Sequence, residues 1–442
     1  LFRSGVRVSS GSQQVWDAVT CPVGQTEKAL LLPAGLIRAQ GTENLRRELT
    51  TLASDLSISV IENRANHFAI DTRFKFLSVI ARIGKGRRQP IALKVADRRG
   101  NLPTSAVRLG RPELSRVRPD LTIPEVRTPE EWDLYTRLAA NATAIGDPDG
   151  PWRPSYRREV DMTLDRGSFR RTQNGMTLPL IEGRHVAQFR WRAKTYQSGE
   201  GRSAIWRPEP LPRTRLRAQW HVPVTAMNPG TVERTRRSRI GFCDITGQTN
   251  ERSLLAARIP HGVVCGNKVP TLAFADESLE REDLFLSLAN SLAVDWMLRR
   301  IVTTTVNFFL LDTLALPNID EDSEVGRELI SLSRLLTASE GDGRADPRKI
   351  GQVRARADAL VAAAWGMNVD DLEVVLRDFP LLDRGQPVLH GEARSTVTAD
   401  CVLAELAGIL SVDHPSIERS AAALAAGAVP FIPADYVMGV AS

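Results

Sequence analysis

Residues 28–83 read KALLLPAGLIRAQGTENLRRELTTLASDLSISVIENRANHFAIDTRFKFLSVIARI. A short apolar run precedes GTENLRRELTTLA, in which Leu45, Leu49 and Leu52 share one face of a helix that Thr42 can cap. LSISVIEN and FKFLSVIARI are rich in β-branched and aromatic residues, which predicts two strands. This strand, helix, strand order predicts α/β structure similar to the later half of a doubly wound domain, without its glycine-rich first turn.

The rest of the chain changes character twice. TPEEWDLYTRLA (128–139) has the pattern of a capped amphipathic helix, whereas residues 141–275 show short strand-like runs and little helical period, which predicts irregular β structure with long loops. Helical spacing returns in DLFLSLANSLAVDWMLRRIV (283–302), in residues 346–366 and in short alanine-rich segments near the end.

Composition excludes several classes of protein. The 442 residues are 42% hydrophobic and 25% charged, as in ordinary globular proteins and unlike collagen or disordered chains. No apolar run reaches the roughly 18 residues of a spanning helix, so no membrane anchor is expected. Four scattered cysteines (Cys21, Cys243, Cys265, Cys401) form neither a disulfide framework nor a zinc motif, which favours the cytoplasm. The chain opens without Met, and we expect it to be part of a longer protein.

The positive charge is local. Of 58 basic residues 51 are Arg, a bias that a GC-rich genome can also produce. Residues 141–240, here called the basic segment, hold nineteen basic and nine acidic residues, whereas the remainder of the chain has a net charge of −4 against +6 for the whole. Eight aromatic residues are interleaved with these arginines, and this mixture favours a nucleic-acid groove. A solvated basic face above core aromatics is the alternative.

The common catalytic strings are missing from the sequence. It contains no Walker A loop, no G-x-S-x-G, no HExxH, no kinase signature and no CxxC. The six histidines have no partner four residues away, so no metal site is expected.

Several strings, in order, resemble one family. Residues 30–49 (LLLPAGLIRAQGTENLRREL) and 58–82 (ISVIENRANHFAIDTRFKFLSVIAR) resemble the later motifs of gamma-class DNA adenine-N6 methyltransferases. The most similar subgroup is the large fused enzymes of type IIG restriction-modification and of BREX and DISARM phage defence. Residues 159–170, 178–196, 239–270 and 288–317 resemble the junction and body of the target-recognition domain of these enzymes, and 357–380 and 427–436 resemble its helical ending.

The resemblance implies an α/β fold followed by mixed α+β structure. Residues 1–100 would be the C-terminal part of a Rossmann-like methyltransferase domain, the end of a doubly wound sheet, and 101–160 a helical linker. Residues 161–340 would be an irregular, β-rich target-recognition domain that determines DNA specificity, and 341–442 a helical C-terminal region.

Two motifs of the family are not in this sequence. The glycine-bearing loop that binds S-adenosylmethionine and the N-P-P-Y tetrapeptide that grips the flipped adenine are both absent, and the one Asn-Pro pair, Asn228-Pro229, is followed by Gly. The resemblance therefore implies that the cofactor is bound by upstream residues, that no catalytic or cofactor-binding residue lies in this chain, and that the chain alone does not methylate.

Phe68 is the candidate for the target-base pocket. Its position in FAIDTRFKF resembles that of the aromatic that stacks on the extruded adenine, and Arg73 and Lys75 lie near enough in sequence to touch the adjacent phosphate. The alternative is a core aromatic beside a strand.

Two further segments supply candidate DNA-binding residues. In LPLIEGRHVAQFRWRAKTY, a turn with Arg184 and His185 precedes a predicted strand. The even spacing of five residues there predicts one cationic face that follows the phosphates: Arg184, Gln188, Arg190, Arg192 and Lys194. In TGQTNERSLLAARIP, the polar residues Gln248, Asn250 and Arg252 suit base edges, or else cap a helix NERSLLAAR. Asn307 is predicted to hold a structural turn.

The sequence thus predicts the recognition half of a site-specific S-adenosylmethionine-dependent DNA adenine-N6 methyltransferase from a restriction-modification or phage-defence system. Its partners would be double-stranded DNA and, as further candidates, other subunits of the defence system, with no membrane. The alternative is a DNA-binding specificity subunit or sensor without catalysis, which recruits a nuclease or helicase.

Overall fold

The chain divides into two units, one ending at Ala140 and the other beginning at Asn141. A computed structural model describes residues 26–72, 74–84, 86–208, 216–276, 278–339, 346–389 and 391–432. Residues 101–160, predicted as a linker, are therefore divided between the two units.

The first unit is built on one five-stranded sheet. Its strands are β1 Thr26–Pro33, β2 Ala53–Glu62, β3 Lys75–Ile83, β4 Ile91–Val95 and β5 Val107–Leu109. The strand order is β1-β3-β2-β4-β5, in which β2 and β4 are parallel and the other neighbours antiparallel. Because β1 and β2 both pair antiparallel with β3, they run parallel to each other, joined through helix α1 (Glu43–Leu52). The predicted strand, helix, strand order is confirmed.

The alternation of buried and more exposed side chains along the chain explains why these segments form strands. In β3, Leu77, Val79 and Ala81 are buried, because successive side chains point to opposite faces. Helix α1 buries Leu45 and Leu49 as expected, but Thr42 does not cap it. The Thr42 hydroxyl instead donates to carbonyl oxygens of the preceding turn, among them Ala39 O at 2.8 Å. Helices α2 (Arg111–Val117) and α3 (Pro129–Ala140) complete the unit, and α3 confirms the predicted amphipathic helix.

The second unit begins with short strands in small sheets. They are β6 Ala142–Ala144, β7 Pro154–Arg157, β8 Thr177–Ile181, β9 Lys194–Ser198, β10 Ile205–Pro208, β11 His221–Pro223, β12 Arg239–Phe242, β13 Ala256–Ile259, β14 Val264–Cys265, β15 Thr271–Phe274 and β16 Ala315–Pro317. They form sheets β13-β12-β15-β7, β11-β8-β14, β10-β9 and β16-β6. The prediction of irregular β structure over 141–275 is confirmed.

Helices dominate from residue 279 onward. They are α5 Leu279–Ala289, α6 Leu292–Arg299, α7 Phe308–Asp312, α8 Glu324–Ala338, α9 Pro347–Ala364, α10 Val369–Leu376, α11 Val397–Leu410 and α12 Ser416–Ala425, and one short helix, α4 Pro229–Thr235, lies among the strands. Asn307 caps α7, its side chain accepting from Leu310 N at 2.8 Å, as predicted for a structural turn. Within the described residues, no helix is both long and apolar enough to cross a bilayer.

The single helix predicted over 283–302 is two helices. Ser291 caps α6 by accepting from Val294 N, and the Asn290 amide bonds both the N–H and the carbonyl of Ala256 in β13. These side-chain bonds to backbone groups compete with helix continuation, which apolar spacing alone does not reveal.

Candidate nucleic-acid interface

A cleft of about 310 Å³ in the second unit brings together residues from three distant parts of the chain. Its lining includes Gly183, Arg184, Val186, Ala187, Gln188, Arg190, Ala193, Lys194, Pro208, Asn250, Glu251, Arg252, Leu255 and Arg354. Six predicted DNA-binding residues are among them: Arg184, Gln188, Arg190, Lys194, Asn250 and Arg252. Below we call it the basic cleft.

The first wall is a turn: the predicted turn with Arg184 and His185 is confirmed, whereas the strand predicted to follow it as far as Lys194 is wrong. Gly183–His185 is a 3-10 turn, and β9 starts only at Lys194. Between them the backbones of Ala187 and Arg190 bond each other, at 2.7 and 3.0 Å. Phe189 has a positive φ of 61° and is 5% exposed, which anchors the turn in the core. Four of the five evenly spaced residues nevertheless reach the cleft, because the turn folds them to one side.

Arg192 is the fifth of these residues and is not among the lining. Its guanidinium lies 4.7 Å from the centroid of the Trp191 ring. Its prediction as part of one cationic face is not supported by this position.

The second wall is the loop before β13. The helix predicted over 250–258 is wrong, since this segment is a loop followed by β13. The Arg299 guanidinium donates to the carbonyl oxygens of Asn250 and Glu251, at 2.8 and 2.9 Å, which leaves the exposed Asn250 side chain at the rim. Gln248 is not part of the lining. Its amide donates to Arg299 O at 2.6 Å, which holds the loop against the end of α6.

The floor contains Arg354 of α9, which the sequence did not single out. Arg354 donates to the Gln188 side chain, and its guanidinium lies 4.5 Å from the Phe431 ring centroid. Burial, and then the charges of Arg252 and Arg190, lower the pKa of Arg354, although a guanidinium stays protonated at neutral pH. Arg354 therefore lies close enough to Arg252 and Arg190 to be repelled by both, while the carboxylates of Asp358 and Glu251 oppose that repulsion. An anionic ligand in the cleft relieves that repulsion.

Two cleft residues serve the protein itself. Gln188 is 7% exposed, and both ends of its amide are used, since it donates to Asn290 O at 2.9 Å and accepts from Arg354. Arg252 is 5% exposed and pairs with Asp295 at 2.9 Å. Its Nη1 is buried without a hydrogen-bond partner among the described residues. Gln188 therefore positions Arg354. Arg252 contributes positive charge to the floor of the cleft, but its buried guanidinium is not accessible for bidentate contacts.

His185 is fully buried behind the cleft. Its Nδ1 accepts from Glu182 N at 2.9 Å, and its ring lies edge-on to Trp206. Burial lowers the pKa of His185 to about 4, so the ring is neutral at pH 7. The prediction that His185 contacts DNA is not supported by this burial.

In the first unit, Phe68 lies in the loop between β2 and β3. It is 40% exposed, packs edge-on against Phe76 at 5.0 Å, and its backbone is held by two hydrogen bonds of 2.9 Å to the Asn63 side chain. It is thus not a core aromatic. The loop follows the carboxyl end of β2, the sheet edge at which α/β proteins bind ligands. Arg73 lies outside the described residues.

Lys75 is committed to a buried carboxylate. Its Nζ donates to Glu125 at 2.5 Å, and Arg38 donates to the same carboxylate, which is 1% exposed. Burial alone would raise the pKa of Glu125, but Arg38 and Lys75 together hold it well below its usual range. Lys75 therefore stabilises this unit, and a role on phosphate is not supported.

The aromatics of the basic segment fill the core or stack on arginines. Four are buried: Trp152, Phe169, Phe189 and Trp220. The other four are half-buried: Tyr156, Trp191, Tyr196 and Trp206. The idea that they stack on unpaired bases is not supported, because none of the eight side chains is fully exposed.

One signal could have pointed to Arg354. Helix α9 buries Gly351, Ala355 and Asp358, and Arg354 lies at helical spacing on the same face. A charged residue on a face of small buried residues implies a partner that compensates it.

The described residues hold no group of three His, Cys, Asp or Glu side chains placed for a metal ion. The loop after β1 does not fit S-adenosylmethionine either. It is a 3-10 turn at Ala34–Ile37, and its Gly35 does not have a positive φ.

Comparisons with solved structures give distant likenesses to proteins bound to DNA. No protein-family model and no curated protein matches the chain. It is similar to the type IIL restriction-modification enzyme MmeI in complex with DNA, with a TM-score of 0.45 and 8% identity over 80% of this chain and 49% of that one. It is also similar to DrdV in a DNA complex, with a TM-score of 0.39 and 10% identity over 74% of this chain and 39% of that one. The chain thus spans half or less of each of these proteins.

Proposed function

We propose that this chain is the target-recognition half, with the end of the catalytic domain, of an S-adenosylmethionine-dependent DNA adenine-N6 methyltransferase of a restriction-modification or phage-defence system. The observation that carries the proposal is the basic cleft. It gathers Arg184, Arg190, Lys194 and Asn250 from two predicted segments and adds Arg354 from a helix.

The residues at the cleft suit two kinds of contact with duplex DNA. Arginine and lysine side chains neutralise phosphates and set affinity, whereas an amide such as that of Asn250 can donate and accept at a base edge. Phe68, exposed on the loop after β2, would stack on the adenine once it leaves the helix. The cofactor and the N-P-P-Y motif would come from residues outside this chain, so we derive no chemical step from it.

A salt titration tests duplex binding. The variant R190E/K194E reverses two charges at the cleft, whereas R384E reverses an exposed arginine whose side chain makes no hydrogen bond or ion pair within the described part of the chain. Each lost phosphate contact reduces the slope of log K against log salt by about 0.9, so we expect R190E/K194E to shrink the slope by roughly 2 and R384E to leave it unchanged. Fluorescence anisotropy with a 30-base-pair duplex of random sequence measures both. Equal slopes for wild type and R190E/K194E would remove the basic cleft as the interface.

The second candidate is a specificity subunit or sensor without catalysis. It would bind duplex DNA through the same basic cleft without methyl transfer. Methylome sequencing of a host that expresses the intact reading frame separates the two candidates. New N6-methyladenine at one short site supports the methyltransferase, and its absence alongside tight duplex binding supports the subunit.

A further inference from the structure

Beside the basic cleft, three arginines and three aromatic rings form a connected row. Its members are Arg166, Trp220, Arg171, Tyr196, Trp206 and Arg184, and we call it the arginine–aromatic ladder. Arg184 also lines the basic cleft, so the ladder starts at the rim of the cleft.

Trp220 is clamped between two guanidinium groups. The Cζ atoms of Arg166 and Arg171 lie 3.5 and 3.7 Å from its ring centroid. Two groups this close to one centroid must lie on opposite faces, because on one face they would overlap. Trp220 is accordingly only 7% exposed, so neither face is available to a base.

The ladder continues through Tyr196. Arg171 donates to the Tyr196 hydroxyl at 3.2 Å, and Tyr196 meets Trp206 edge-on at 5.8 Å. The Arg184 guanidinium lies 5.9 Å from the Trp206 centroid and donates to Ala204 O at 3.1 Å. Stacking on Trp220 fixes the planes of the Arg166 and Arg171 guanidinium groups, and the hydrogen bond to Ala204 O holds Arg184. All three arginine side chains remain exposed.

Carboxylates leave much of this charge unmatched. Among the described residues, Arg166 and Arg184 make no ion pair within 4 Å, and Arg171 pairs with Glu200, which is 68% exposed. An ion pair this exposed contributes little to stability, so an incoming phosphate can replace it. Glu182 lies in the field of the same three arginines but is itself mostly withdrawn from solvent.

We propose that the arginine–aromatic ladder is a second phosphate-binding surface, which contacts the DNA backbone outside the basic cleft and sets affinity without regard to sequence. The proposal rests on the proposed function only in that its partner is duplex DNA. Planar guanidinium groups held by stacking lose little side-chain entropy when their N–H edges bind phosphate oxygens. Because both faces of Trp220 are covered and Tyr196 and Trp206 are half-buried, the ladder should give no preference for single strands.

The test compares two double variants. R166Q/R171Q removes two charges of the ladder, and R190E/K194E alters the cleft. Anisotropy with the random-sequence duplex at about 150 mM salt should show roughly tenfold weaker binding for R166Q/R171Q and a slope smaller by about 2. Selection from a randomised duplex library should return the same consensus as the wild type.

A second variant leaves the stacked arginines intact. E200Q removes the carboxylate that competes for Arg171 and should tighten duplex binding by roughly two- to fivefold, through about one recovered phosphate contact. Circular dichroism and a thermal melt confirm that each variant is folded.

The outcomes separate the two proposals. If the wild type does not bind duplex, both fall. If R190E/K194E weakens binding while R166Q/R171Q and E200Q leave the affinity and slope unchanged, the ladder is structural and only this inference is overturned. A changed consensus for R166Q/R171Q would also overturn it, because the surface would then read sequence.

Discussion

Arg239 and Arg190, two arginines of the basic segment, differ in one respect, the presence of a carboxylate. Arg239 in β12 is fully buried and donates to both oxygens of Glu159, at 2.8 and 2.7 Å. Arg190 at the cleft has no carboxylate within 4 Å among the described residues, and it adds to the repulsion on Arg354. One residue type in one segment thus serves the fold where its charge is matched and a ligand where it is not.

The buried pair is also fully hydrogen-bonded. Arg239 donates to the carbonyl oxygens of Pro260 and Val263, and Glu159 accepts from Cys265 N at 2.7 Å and from the Thr271 hydroxyl at 3.1 Å. These bonds tie β12, β14 and β15 to the chain that follows β7. Arg190 has no comparable set among the described residues, which is why we assign it to a partner.

The largest expected effect is on the buried pair. Arg239→Leu leaves the Glu159 carboxylate buried and unpaired, and should lower the free energy of unfolding by about 3–5 kcal/mol. Urea denaturation measures it, with Arg384→Leu as an exposed control. In R239L, the salt slope of the remaining folded protein should equal that of the wild type. A loss below about 1 kcal/mol would mean that the pair contributes no more than a surface pair and would erase the contrast.

Phe68 extends the comparison to aromatics, since Trp220 has both faces covered while Phe68 is exposed. In the full-length methyltransferase that we propose, Phe68→Ala should leave duplex binding within about twofold. It should reduce extrusion of the target base roughly tenfold, since stacking on one base is worth about 1–3 kcal/mol. Fluorescence of 2-aminopurine at the target position reports extrusion, and Phe74→Ala, an exposed neighbour in the same loop, is the control. Equal fluorescence for F68A and wild type would assign Phe68 to loop packing.

The smallest expected effect concerns Glu182. Its charge is neither fully matched, as in the buried pair, nor left unmatched, as at the basic cleft. Burial raises the pKa of Glu182 to about 7, against the charges of Arg184, Arg166 and Arg171. The folded protein therefore disfavours the ionised form, and the free energy of unfolding should fall as the pH rises from about 4.5 to about 7. Protonation below pH 7 removes a negative charge beside the ladder, so duplex affinity should rise a few-fold between pH 8 and pH 6.

Glu182→Gln provides the matched comparison for that prediction. It should bind duplex at pH 8 about as tightly as the wild type does at pH 6, with little pH dependence over this range. Anisotropy at fixed ionic strength measures both proteins. A parallel pH dependence in E182Q would assign the effect to another group.

Local sequence patterns explain which secondary-structure elements could be predicted without the structure. The order of β1, α1, β2 and β3, the helix α3 and the irregular strands of the basic segment follow from period, β-branched content and turn residues, which act over a few positions. The break at Asn290–Ser291 and the turn around Phe189 could not be read in this way, because each depends on hydrogen bonds to β13, more than thirty residues away.

The candidate site shows the same division. Amino-acid composition by itself determined that cations concentrate in residues 141–240, and the strings there pointed to Arg184, Arg190, Lys194 and Asn250. Only the tertiary structure decided that Lys75 and Arg252 are neutralised by Glu125 and Asp295, that His185 is buried and neutral, and that Arg354 joins the cleft. The physical reason is that a charge becomes available to a ligand through the absence of a nearby opposite charge, and distance in space is set by packing rather than by distance along the chain.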